Sequence, residues 1–238
     1  MTKRLAVAML YPQEMNIYGD RGNLESLTRR AERHGFAVDQ IFYEPGQPFP
    51  RHADVILGGG GQDSGQSRVV DDLTALGPLL KELADDGLPM LMICGLYQLF
   101  GHHFRTSQGD VIAGIGLFDA VTVGGSRRLV GNVVADWDGY RLVGYENHSG
   151  LTELAGGQAP LARVVRGAGN NGRDKTEGAR TGNVFGSYLH GPILPKNPRL
   201  ADELIRLAAV RRYGSFAPLP LDDSLADRAR AVALSRPR

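Results

Sequence analysis

A single cysteine, Cys94, stands among 238 residues. That leaves no internal disulfide framework and no multi-cysteine metal site. Long apolar runs are also missing, since no stretch approaches the ~20 residues a membrane-spanning helix needs. The N-terminal apolar run 5–10 is short and meets Tyr11-Pro12, so it reads as a first strand and not as a signal-peptide core. With no secretory signal, the sequon Asn147-His148-Ser149 carries no glycosylation, and a cytoplasmic location is expected. Charge of one sign is lacking too. The 27 basic and 26 acidic residues give a formal net charge of +1, which offers no electrostatic case for nucleic acid or anionic membrane. There is no internal repeat and no linker. The expected organisation is one domain over 1–215, followed by a C-terminal helix and basic tail over 216–238.

What is present is the make-up of an ordinary globular protein, 42% apolar and 22% charged. The first hundred residues alternate strand and helix signals. Runs 5–10, 36–43 and 53–57 read as strands, as does the apolar run before Cys94. Asn23 is placed to cap a helix carrying Leu24, Leu27 and Ala31 that stops at Gly35. A second helix is expected over about 69–86, with Leu73, Leu76, Leu79, Leu80 and Leu83 on one side. Strands alternating with helices predict an α/β fold, a mostly parallel sheet with helices on both faces. Between 109 and 161 the texture changes to short β-like runs (117–123, 129–134 and 140–145), read as an antiparallel extension. A strand over 183–189, a helix over 198–213 and a weak amphipathic helix within 221–238 complete the chain.

Three features carry chemistry. In Met92-Ile93-Cys94-Gly95-Leu96-Tyr97-Gln98, an apolar strand turns at Cys-Gly into an amphipathic stretch, the layout of a nucleophile elbow. A thiolate there is favoured by the first amides and dipole of the helix. The alternative is an inert buried thiol. Second, Gly58-Gly59-Gly60-Gly61-Gln62-Asp63 follows a strand directly. It lacks the Gly-Lys-Ser/Thr ending of a P-loop, which leaves an oxyanion hole or a tight strand-to-helix connection. Third, His190 ends a strand, and strand ends in an open α/β sheet converge on one crevice. His148 is the other contender, while His34, His52, His102 and His103 sit in surface-like contexts. Gly167-Ala-Gly169-Asn-Asn-Gly172 matches Gly-x-Gly-x-x-Gly, but no apolar helix follows and no acidic residue stands ~20 residues on. It is read as a mobile loop, open to a partner.

Leu91-Met-Ile-Cys94-Gly-Leu-Tyr-Gln98, Gly144-Tyr-Glu-Asn-His148 and Gly186-Ser-Tyr-Leu-His190-Gly-Pro192 stand in the order found in the class I glutamine amidotransferases, which have a flavodoxin-like sheet. The chain resembles their cobyric acid synthase-like branch. It looks more closely similar to the family of glutaminase subunits of lipid II isoglutaminyl synthase, on Met15-Asn-Ile-Tyr-Gly-Asp20-Arg-Gly-Asn23, the loop from Gly58 to Asp63, and Gly169-Asn-Asn-Gly172. The resemblance implies Cys94 as nucleophile and His190 as general base and acid. It also implies Arg128 as the binder of the glutamine α-carboxylate, and the backbone amides of Gly60 and Gly95 as the oxyanion hole. From the residues alone, Arg128 reads equally as a solvated hairpin arginine.

By the same resemblance, this chain needs no metal or cofactor of its own. ATP and magnesium belong to a Mur-ligase-like synthetase subunit that amidates D-glutamate in the lipid II stem peptide. Two positions depart from the family. Pro192 stands where many members carry the third residue of a triad, a glutamate, so a Cys–His dyad is expected with a carbonyl or water orienting His190. Leu96 replaces a second glycine after Cys-Gly. Three alternatives stay open: a glutaminase for another acceptor such as a cobyrinic-type acid, a cysteine hydrolase or peptidase, and a non-catalytic binding module.

Overall fold

The computed structural model describes residues 2–237. Met1 and Arg238, at the outer ends of the two expected segments, lie outside the described residues. The first half runs β1 (Arg4–Leu10), α1 (Arg21–Arg33), β2 (Ala37–Tyr43), β3 (Val55–Gly58), α2 (Asp63–Asp85), β4 (Met90–Ile93) and α3 (Gly95–Phe100). A run of strands follows: β5 (His103–Arg105), β6 (Val111–Ala113), β7 (Ala120–Trp137), β8 (Tyr140–Leu154), β9 (Ala162–Arg166), β10 (Thr176–Glu177), β11 (Ala179–Thr181) and β12 (Val184–Ser187). Helices α4 (Pro198–Tyr213) and α5 (Ser224–Ser235) close the chain.

Two six-stranded sheets result. The first has the order β2-β1-β3-β4-β12-β11, parallel throughout except for the edge strand β11. Strands β3, β4 and β12 are buried at every residue. Their unbroken apolar runs are what a parallel strand covered on both faces requires. In the second sheet β7 pairs with β8 and β9 antiparallel and with β5 parallel, so the extension is mixed and not wholly antiparallel. The runs 117–123 and 129–134, expected as two strands, belong largely to the single long strand β7. A register irregularity between Gly124 and Leu129 separates its two halves.

Several local expectations are corrected by packing. Helix α1 begins at Arg21, with Asp20 at the N-cap position. Asn23 lies inside the helix, buried, and its Oδ1 accepts from the Leu194 amide at 3.0 Å. Helix α2 starts six residues before the leucine pattern suggests, directly after the glycine run. His34 is buried, its Nε2 lying 2.9 Å from Asp202, in a network where Arg30 bonds both Asp202 and Asp223 and so ties α1 to α4 and the tail. The segment 167–172 is a packed connection: the Ala168 and Gly169 amides donate to the buried Glu146 carboxylate at 2.8–3.1 Å, and Asn170 Oδ1 accepts from Tyr97. Its glycines take φ of 119°, 66° and 74°. The pattern therefore serves a turn wrapped around a carboxylate, where left-handed backbone is needed.

Two contacts between the sheets set the site. Tyr145 of β8 pairs antiparallel with His190, exchanging N–H···O bonds of 3.2 and 2.9 Å. Glu177 of β10 accepts from Ser187 Oγ at 2.6 Å and from the Tyr188 amide at 3.0 Å, which holds the exit of β12 that leads to His190. Burial pushes the Glu177 carboxyl up to about 7 against those two bonds, with Glu146 nearby adding to the rise. An unfolded glutamate titrates near 4.3. Between about 4.5 and 7 the native state therefore holds the extra proton, and stability falls as pH rises through that window. Glu177→Gln, which does not titrate, is expected to flatten that slope when urea unfolding is compared at about pH 5 and about pH 7.5. An unchanged slope would assign it to another group.

Candidate active site

Leu10, Gly58, Met92 and Gly186 lie side by side across the first sheet. The segments leaving β1, β3, β4 and β12 therefore emerge together at its carboxyl edge, where open α/β sheets form their crevice. They deliver four things: the loop 11–20, the glycine run, Cys94 and His190.

Cys94 turns the chain from β4 into α3 with φ 51° and ψ −102°, and its amide donates to Ser187 O at 2.9 Å. A cysteine in that backbone region is strained, and such strain is typical of a nucleophile elbow. Neighbouring glycines make the turn possible. A methyl on Gly60 would lie 3.2 Å from Cys94 Cβ and 3.2 Å from His190 Cε1, so both side chains crowd one point above this residue. A methyl on Gly95 would meet the Gly61 amide nitrogen at 2.9 Å, and one on Gly59 would meet Met15 O at 2.1 Å. The glycine run is a close-packed cradle under the dyad, and it feeds straight into α2.

His190 is 2% exposed, with the Tyr18 ring 4.3 Å away. Where a carbonyl or water was expected to orient it, the structure places the Asp20 carboxylate. Oδ1 of Asp20 is 3.9 Å from His190 Nδ1, an ion-pair distance longer than a hydrogen bond. Burial is the largest influence on the His190 imidazole and lowers its pKa, but the raising effects of Cys94 and Asp20 together exceed it, and the result is pushed up to about 9. Oδ2 of Asp20 accepts from the Gly60 amide at 2.8 Å. Of the two amides expected to form an oxyanion hole, Gly60 is therefore engaged by Asp20 here, while Gly95 opens α3.

Arg128 sits in the irregular stretch of β7, where extra residues on one strand re-aim a side chain. Its Nη1 donates to Asn147 Oδ1 at 3.0 Å and to Tyr18 OH at 3.3 Å. No acidic side chain pairs with it among the described residues, so its charge is available to an anion. A cleft of about 380 Å³ runs between it and Cys94, lined by Tyr18, Cys94, Gln98, Arg128, Asn147 and His148. His148 is stacked on Tyr188 at 3.6 Å, and its Nδ1 is 2.7 Å from Gly150 O. Burial pushes it down to about 4, so it is a neutral imidazole near pH 7 and a wall of the cleft. A larger groove of about 680 Å³ lies between α2 and β6, but neither Cys94 nor His190 lines it. His52 and His102 are exposed, and His103 is half-buried in β5 and does not line the cleft.

Tyr18 and Asp20 had no assigned role in the sequence, although the motif from Met15 to Asn23 was visible. The available signal was position: a polar segment after the first parallel strand falls at the edge where active sites form.

Residues 6–198 match the family described as the CobB/CobQ-like glutamine amidotransferase domain. The chain is 36% identical over 235 residues to the lipid II isoglutaminyl synthase (glutamine-hydrolyzing) subunit GatD of Staphylococcus aureus, covering 98% of this chain and 96% of that one. It is 37% identical over 221 residues to the GatD subunit of Streptococcus pneumoniae, covering 91% and 85%. Half of the chain also matches about a quarter of the cobyric acid synthase of Pelotomaculum thermopropionicum, at 33% identity. Among solved structures, the PurLQS complex of Thermotoga maritima contains a chain of like fold, with TM-score 0.59 and 16% identity over 87% of this chain and 98% of that one.

Gly60 does not need left-handed backbone, so Gly60→Ala is conformationally allowed and its damage is steric. The added methyl is expected to splay Cys94 from His190 and lower glutamine hydrolysis about 100-fold, with the thermal midpoint little changed. Steady-state turnover and a melt on the same sample test this; wild-type turnover would place the dyad elsewhere.

Proposed function

This chain belongs to the CobB/CobQ-like glutamine amidotransferase family, and we propose that it is the glutamine-hydrolysing subunit of a lipid II isoglutaminyl synthase. The observation that carries the reading is the gathering of Cys94 and His190 over one glycine, with an acid-free arginine across the cleft, in a chain that matches GatD subunits along nearly its whole length.

In the mechanism this supports, Arg128 takes the α-carboxylate of glutamine in its planar fork. The side-chain carboxamide then reaches Cys94. The thiolate attacks the carboxamide carbon, and the oxyanion is met by the Gly95 amide, the Gly60 amide remaining on Asp20. Collapse of the tetrahedral adduct breaks the C–N bond, and the His190 imidazolium protonates the departing nitrogen, so ammonia leaves and a glutamyl thioester remains. Water, deprotonated by His190, hydrolyses the thioester to glutamate and restores the thiolate.

Ammonia released into water would be protonated and lost to synthesis. The reading therefore includes a Mur-ligase-like, ATP- and magnesium-using partner subunit that consumes it to amidate D-glutamate of lipid II, within a cytoplasmic heterodimer serving peptidoglycan synthesis. No described helix is long and apolar enough to cross a membrane, in keeping with a subunit that meets lipid II through its partner.

Glutamate release from L-glutamine, measured with the synthetase subunit, ATP, magnesium and lipid II present, tests the assignment. Cys94→Ser and His190→Ala should each lose at least about 1,000-fold in turnover, and the amidated stem peptide should vanish with it. Arg128→Ala should raise the KM for glutamine about 10- to 100-fold, with Arg128→Lys recovering only part of the loss because one ammonium cannot reproduce the fork. Undiminished turnover in Cys94→Ser would sink the reading. Glutaminase activity without amidation of lipid II would leave the chemistry standing and reassign the acceptor.

A further inference from the structure

The family's usual third residue is missing after His190, where Pro192 stands, yet His190 is not without a charged neighbour. The groups around it are the Cys94 thiol, the Asp20 carboxylate, the Tyr18 ring, and, at longer range, Glu177 and His148. Asp20 is the one that faces a ring nitrogen. It is 2% exposed and lies at the N-cap position of α1, reached by the chain after it leaves β1. Its two oxygens divide their work. Oδ2 is held by the Gly60 amide at 2.8 Å, while Oδ1 has no hydrogen-bond partner among the described residues and points at His190 Nδ1 from 3.9 Å. Both ring nitrogens of His190 also lack a hydrogen-bond partner. A buried carboxylate oxygen and a buried imidazole nitrogen, both unsatisfied and facing each other, are unfavourable unless the gap closes at some stage. Catalytic hydrogen bonds are often long in empty sites and tighten when substrate is bound.

We propose that Asp20 is the positioning residue for the Cys94–His190 pair, filling from the β1–α1 segment the role that Pro192 cannot fill from β12. Its carboxylate favours the His190 tautomer with hydrogen on Nδ1, which leaves Nε2 to take the Cys94 proton, and it stabilises the imidazolium that results. Its bond to Gly60 fixes the carboxylate on the same glycine that the two side chains crowd, so one residue sets the spacing of nucleophile, base and cradle. The proposal stands apart from the acceptor assignment, because it concerns the thiolate and not its substrate.

The test uses alkylation of Cys94 by iodoacetamide in the intact chain, which needs neither glutamine nor partner and reads the thiolate directly. The rate is followed from about pH 5 to about pH 10 for wild type, Asp20→Asn, Asp20→Glu and His190→Ala, each checked by a melt. Asp20→Asn can still accept from the Gly60 amide, but offers Nδ1 no carboxylate. Its rate at pH 7 should fall at least about 10-fold, and the limb of its pH profile should move towards that of His190→Ala. Asp20→Glu, which keeps the charge, should fall less than Asp20→Asn. If Asp20→Asn does not fold, Asp20→Ser, with a hydroxyl for Gly60 and no charge, carries the same expectation. A profile in Asp20→Asn that superimposes on wild type would overturn the proposal while leaving the amidotransferase chemistry untouched. Loss of glutamine turnover in a variant whose alkylation profile is unchanged would also count against it, since that would confine Asp20 to packing.

Discussion

Cys94 occupies a left-handed turn between a buried strand and a short helix, and the turn persists only because its surroundings leave room for nothing else. Its amide is spent on Ser187 O, which locks β4 to β12. Gly58, Gly59, Gly61 and Gly95 close around it so tightly that a methyl on any of them would lie within 3 Å of a heavy atom. Strain at one residue is thus maintained by packing at several others. From that turn the rest follows: Cys94 lines the cleft, and the Leu96 amide at the start of α3 donates to Gly59 O, which ties the glycine run to the elbow.

The second sheet contributes what the first cannot. A parallel sheet supplies strand ends and helix starts, which suit a nucleophile, a base and oxyanion donors. It offers no arm that reaches over the crevice. The β7–β8 hairpin does so, carrying Arg128 on its irregular stretch beside Asn147 and bringing His148 up as a neutral wall. The Tyr145–His190 bridge ties the hairpin to His190, and Glu177 clamps Ser187 and Tyr188 just before it.

Charge within the site is arranged so that each ion has a reason to persist. His190 is buried, which disfavours its cationic form, yet the thiolate and Asp20 reverse that preference. His148 is buried to a similar degree without an acid facing it, and stays neutral. Two equally buried histidines thus shift in opposite directions because only one of them faces acidic groups.

Much of this was legible in the residues. Unbroken apolar runs fix buried parallel strands, and Cys-Gly after one of them marks an elbow; both depend on neighbours in the chain, as local sterics and burial do. The ordered motifs around Cys94, His148 and His190 identified the family. The function of the glycine pattern at 167–172 and the burial of His34 were not readable, because the acidic partners, Glu146 and Asp202, are remote in sequence and only tertiary packing brings them into contact. The same holds for Asp20. Nothing near it in the chain reveals that it faces His190, 170 residues away, since two parallel strands must first lie in the same sheet. The sequence by itself determined the layers and the placing of Cys94 and His190 at strand ends, because both follow from the order of the strands. Only the folded structure decided which carboxylate faces His190, which glycine Cys94 and His190 crowd, and which groups Arg128 meets, because these are distances across the crevice and no local rule encodes them.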